Sequence, residues 1–288
     1  MATANTNRRS MREEMKADGK RAAKKAAYSP LMEALARLGY AVRGVIYITI
    51  GVIALESATG KATTPADQIG AIAAIGRLSN GRIILWVVLV GLISYALWGL
   101  IRAVLDPFDK GSDRSGLLAR GGYLLSAATY AFFALATYQL LRGTGGGGSN
   151  QTMQFVGKMM TVPAGQLLVG ALGLGVLLGG LFQIYAGITE NFDQRFKPYA
   201  LTADQLNAAK QMGKFGTVVR GIVLGLVGFF IILAASAADP SKARGFSGAL
   251  SYLGQQPYGL WLLGVVAVGL IFLGLYSMMS AAWFRLKR

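Results

Sequence analysis

Residues 260–283 read LWLLGVVAVGLIFLGLYSMMSAAW, without one charged side chain. A helix needs about 20 such residues to cross the hydrocarbon core of a bilayer, whereas a surface helix of a soluble domain keeps a polar face. Working back from this block, five more appear: Ala41 to Ala58, Ile83 to Leu105, Gly122 to Leu141, Leu167 to Ile188 and Val218 to Ala238. Together they predict an all-α integral membrane protein with six transmembrane helices. The composition agrees, with 53% hydrophobic and only 15% charged residues, where soluble domains carry about 25% charged residues.

The segments between the blocks set an expected orientation. Residues before Tyr28 are polar and basic and lack the apolar core of a signal peptide, so the first block reads as an uncleaved span. About 22 of the Lys and Arg residues fall on the side that holds both termini and the links after spans two and four. About seven fall on the other side. Lys/Arg-rich segments stay in the cytoplasm, so both termini are expected there. On the opposite side, Thr64-Pro65 reads as an N-cap followed by a first helical residue, opening a short helix. Ser149 to Met160 and Ser247 to Gly254 read as its counterparts, lying near the outer interface. The run from Gly143 to Ser149 is a glycine linker. Thr202-Ala203-Asp204-Gln205 has capping-box form and opens a short polar helix before span five.

The chain also repeats itself. Arg37-Leu38-Gly39-Tyr40, then Arg43-Gly44, leads into span one. Arg120-Gly121-Gly122-Tyr123, then Ser126-Ala127, leads into span three, and Lys214-Phe215-Gly216-Thr217, then Arg220-Gly221, into span five. Gly81, Gly165 and Gly259 open the even spans, with Gly91, Gly175 and Gly269 following at matched positions. Each unit holds two spans, so all units enter the membrane the same way. Parallel repeats are related by an axis along the membrane normal, which predicts a pseudo-threefold bundle. The divisions are a basic tail, 1–34, and units 35–108, 117–192 and 212–288. The motifs above, with Gln256-Pro257-Tyr258-Gly259-Leu260-Trp261-Leu262 at span six, resemble the bacterial membrane family known as domain of unknown function 1206. That resemblance implies three tandem two-helix units and a multi-pass place in the bacterial inner (cell) membrane, and brings no activity. Unit two departs from the pattern at Ser126-Ala127 and at Val162-Pro163-Ala164-Gly165.

Candidate chemistry is sparse. The chain has no His and no Cys, so the usual ligands of zinc, copper, haem and iron–sulfur are missing; no metal or cofactor is expected. Carboxylates stand at span ends, as at Glu56, Asp106 and Glu190, with no pair on one helix face. With no clustered nucleophile or base, an enzyme is not expected. The basic tail, Arg8 to Lys25, has no aromatic residue for base stacking, which points to a lipid surface and not to nucleic acid. Arg43 and Arg220, at matched positions about one turn inside their spans, are the candidates for anionic lipid or another anion, with Tyr40 adding a hydroxyl at headgroup level. Tyr47, Tyr95 and Tyr130 lie deeper and need partners there. Gly44, Gly91, Gly175, Gly179, Gly221, Gly225 and Gly269 read as helix-packing positions, or as contacts in a homo-oligomer. The expected role is a structural or lipid- or partner-interacting membrane protein. The alternative is a small-solute channel or transporter.

Overall fold

The computed structural model describes residues 30–106, 111, 113–144, 151–189 and 201–283. Its long helices are α1 (Pro30–Ala58), α3 (Gly81–Leu105), α4 (Arg114–Leu141), α6 (Gly165–Thr189), α7 (Ala203–Ser236) and α9 (Gly259–Trp283). Each is long and apolar enough to cross a membrane. Three short helices, α2 (Gln68–Gly76), α5 (Gln151–Met160) and α8 (Phe246–Gly254), join the two long helices of each unit. There is no strand among the described residues. The basic tail before Pro30, the glycine run after Thr144, Glu190 and the basic C-terminus lie outside them.

The odd spans begin well before their apolar blocks. Nothing between Ala203 and Val218 stops a helix, so the expected short polar helix is the first part of α7, with 34 residues in one piece. Thr202 does form the capping box with Gln205. The expectation at Thr64 is corrected. Asp67 is the N-cap of α2, its carboxylate accepting from the Gly70 N–H at 2.8 Å. The Asp67 N–H bonds the Pro65 carbonyl at 2.9 Å, a tight turn that spends Pro65 before the helix starts.

Six helices make a ring, and its strongest seams run between units. α3 packs along α4, α6 along α7, and α9 returns to pack along α1. The seams are built alike. A methyl placed on Gly44 would stand 2.9 Å from the Gly274 carbonyl oxygen, and one on Gly274 would stand 2.8 Å from that of Gly44. Gly221 and Gly180 repeat this between α7 and α6, at 2.8 and 2.7 Å. At the third seam a methyl on Gly99 would meet the Ala127 Cβ at 3.0 Å. Small residues let backbones approach where lipid gives no hydrophobic drive between helices.

Both ends of the ring follow the same symmetry. Gly81, Gly165 and Gly259 each press on a carbonyl near the end of the preceding short helix, Gly76, Met159 and Gly254 respectively, so none has room for a side chain. Ile72, Val156 and Leu250 hold equivalent positions on the short helices, and all three are buried in the central core. At the end that carries the termini, Arg120 Nε donates to the Ala103 carbonyl at 2.8 Å, and the equivalent Lys214 Nζ donates to Ile188 at 3.3 Å. These cations satisfy the last carbonyls of α3 and α6 and suit the negative end of the helix dipole.

Unit two breaks the symmetry. α1 packs on α3 and α7 on α9 within their units, but α4 and α6 do not pack along each other. Gly91 accommodates Val42, and Gly269 accommodates Val219. A methyl on their counterpart Gly175 would meet nothing within 4 Å among the described residues. The counterpart of Val42 (5% exposed) and Val219 (3%) is Leu125, at 71%. Among the described residues the ring is therefore open along one side, between α4 and α6.

Candidate anion site

The cations that matter lie inside the ring. Arg43 of α1 and Arg220 of α7 hold equivalent positions and converge on one ring, that of Tyr47, at 5.6 and 5.3 Å from its centroid. Tyr47 is buried one turn beyond Arg43 on the same helix face. Four tyrosines, Tyr130, Tyr95, Tyr47 and Tyr40, stand around Arg43. Tyr95 stacks against Tyr130 at 4.3 Å, which ties α3 to α4 beside the arginines. Arg102 of α3 lies over Tyr123 at 4.6 Å and over Tyr95 at 5.8 Å.

No carboxylate answers these charges among the described residues. The ion pair found there is Arg37 with Glu33, at 2.6 Å, one turn apart on α1. Among the described residues the Nε atoms of Arg43 and Arg102 are enclosed without a hydrogen-bond partner, although both residues as a whole stay partly exposed. Each cation–π contact returns about 0.5–2 kcal/mol. A charged Arg at the centre of a membrane helix costs roughly 2.5–3.5 kcal/mol, less toward its end. Two arginines on one tyrosine repel as well, so the cluster is short of negative charge. A phosphate or carboxylate would complete it, since the guanidinium fork matches both.

The structure regroups the sequence candidates. Arg43 and Arg220 share one site as matched residues. Tyr40 is buried edge-on against Tyr95 at 5.9 Å, inside the bundle beside Arg43. Gly44, Gly91, Gly221 and Gly269 are tight helix contacts, while Gly225 makes an ordinary one with Leu177 at 3.8 Å. Gly175 and Gly179 are corrected: neither packs on another helix among the described residues, because α4 stands off α6. Arg102 is not among the sequence candidates because it sits at a span end; Tyr95 and Trp98, on its own helix, are the available signal.

At the opposite end an open cleft of about 750 Å³ lies between units one and three, lined by Ser57, Thr64, Arg244, Ser247 and Gln255 among others. Its cation is already engaged, with Arg244 over Phe230 at 5.0 Å and Tyr252 at 5.3 Å. The Ser57 hydroxyl donates to its own helix, at the Ile53 carbonyl. This cleft therefore offers weaker chemistry than the arginine cluster. No group of three or more Asp or Glu residues suited to a metal occurs among the described residues.

Ring, repeats and spans define a multi-pass helical membrane protein built from three two-helix units. The chain belongs to the family described as Domain of Unknown Function (DUF1206), which matches residues 38–106, 121–190 and 215–283. It is 33% identical to the uncharacterized protein YxxB of Bacillus subtilis (strain 168), over 88% of this chain and 92% of that one. No solved structure matches the chain.

Proposed function

We propose that this protein is a lipid-interacting component of the bacterial cell membrane, that it holds an anionic headgroup at Arg43 and Arg220, and that it is not an enzyme. The observation that carries this is the convergence of two matched arginines on Tyr47 with no carboxylate beside them among the described residues. Both termini, and with them the arginine cluster, face the cytoplasm in this reading, because the Lys/Arg excess gathers on that side. Anionic lipid of the inner leaflet is the phosphate source nearest to such a site.

Native mass spectrometry of the intact protein tests the binding. The wild type should retain phosphatidylglycerol over phosphatidylcholine, and the Arg43→Ala, Arg220→Ala double variant should lose that preference. Equal retention by both proteins, with helix content unchanged, would leave the arginines with topology alone. Lysine at both positions should recover only part of the preference, because an ammonium lacks the planar fork. Orientation is checked separately. Reporters active in the cytoplasm should work after Asp109 and Gln194, and reporters active outside it after Lys61 and Ser247; the opposite pattern would invert the site.

A second reading, conduction of small anions, has the outer cleft in its favour. Against it stand Ile72, Val156 and Leu250, which fill the core beneath the short helices from all three units. Anion-dependent current or uptake in proteoliposomes would favour conduction over lipid retention.

A further inference from the structure

We infer that the lipid reaches the arginine cluster sideways, through the fissure between α4 and α6, with an acyl chain lying along Leu125, Leu172 and Gly175. This rests on the headgroup reading above and adds a route and an occupant to it.

The fissure stands at the depth of the cluster. Leu125 precedes Ser126, which holds the position that Arg43 and Arg220 hold in the other units. One turn beyond Ser126 on the same face is Tyr130, a neighbour of both arginines. An object entering beside Leu125 thus meets Ser126 and Tyr130 before the guanidinium groups. The third unit position, where an arginine would block the way and add repulsion, carries a small hydroxyl.

The walls of the opening are apolar and unpartnered. Leu125 is exposed, and so is Thr129, although their counterparts Val219 and Val223 are buried. Across the gap, Leu172 is exposed where Val88 and Val266 are buried, and Gly175 and Gly179 present bare backbone. Toward the short helices Ala136 is only partly exposed and Thr137 is buried. A slot that is mostly apolar along its length and cationic at one end has the polarity of one phospholipid, with phosphate at the arginines and chain in the slot. A free phosphate would leave the apolar walls uncovered.

The chain has no cysteine, so a single one can be placed at will. Leu125→Cys and a control, Ile93→Cys on the exposed face of α3, are labelled with a benzophenone maleimide in nanodiscs of mixed phosphatidylglycerol and phosphatidylcholine. After irradiation, lipid adducts are identified by mass. Position 125 should be enriched in phosphatidylglycerol about thirtyfold over position 93, the ratio that roughly 1 kcal/mol for each of the two arginines gives. Arg43→Gln with Arg220→Gln should remove the enrichment, and Gly175→Leu, which fills the slot, should reduce it without lowering the unfolding temperature. Adducts at 125 that follow bulk composition, while whole-protein retention still depends on the arginines, would overturn the side route and leave the headgroup reading standing. Loss of arginine dependence in both measurements would overturn both. Cross-links from 125 to a second copy of the chain would assign the fissure to self-association, and displacement by inorganic phosphate would assign the cluster to a free anion; either outcome overturns the inference.

Discussion

At the scale of single residues, the glycines divide by what faces them and not by where they stand in the repeat. Gly221→Ala would push a methyl to within 2.8 Å of the Gly180 carbonyl oxygen, and Gly44→Ala one to within 2.9 Å of that of Gly274. Each should destabilise by about 1–3 kcal/mol, as overpacking does. Gly179→Ala meets open space and should stabilise by up to about 1 kcal/mol through helix propensity. Thermal unfolding in detergent checks the opposed signs. A sequence shows that Gly91, Gly175 and Gly269 correspond, but not that a neighbour has withdrawn from one of them. The sign of trouble was Ser126-Ala127 in place of Arg-Gly, in the same unit whose seam with its partner fails. Arg43 and Arg220 were visible as a pair; that they point at one tyrosine depends on the rotation of two helices about their axes, which no local pattern fixes. Ala164 and Tyr258, at φ 59° and 63°, illustrate the same gap. They hold left-handed turns that glycine would fill more easily, so Ala164→Gly should be neutral or stabilising by the same measurement.

At the scale of elements, span existence and number were legible because bilayer thickness demands about 20 apolar residues whatever the neighbours are. Span beginnings were not. Polar residues such as Asp204, Gln205 and Lys210 read as a separate helix, yet a helix continues until something stops it, and α7 at 34 residues is about 51 Å long. Its start depends on the Thr202 box, so Thr202→Ala should cost about 1 kcal/mol and speed hydrogen exchange over residues 203–206 while leaving 218–236 unchanged. The short helix α2 was also legible, but its cap was displaced by three residues. Thr64-Pro65 and Asp67 are both good starts; the backbone turn from Asp67 to Pro65 decides between them. Asp67→Ala should accordingly expose the Gly70 and Ala71 amides to exchange, and Thr64→Ala should not.

At the scale of the whole molecule, the seam between α9 and α1 is the third copy of a contact that elsewhere joins consecutive long helices. Chain connectivity across α3 and α4 should therefore be exchangeable with the break between the ends. A permutant that begins at Gly111, ends at Asp106 and joins the old termini through the basic tail keeps every span in its original direction. It should insert and unfold within a few degrees of the native chain. Failure to insert, with the linker length varied, would show that the hairpins are needed in their native order. The seam also has a consequence in time. A ribosome that adds about 5–20 residues per second delivers α1 long before α9, so the first helix spends much of synthesis with Gly44, and with Gly51 that faces the Ala267 carbonyl of α9, bare to lipid or to passing helices. A nascent chain released early carries that unfilled stripe as a mark of incompleteness, legible to whatever removes unfinished membrane proteins, and the arrival of the last helix erases it.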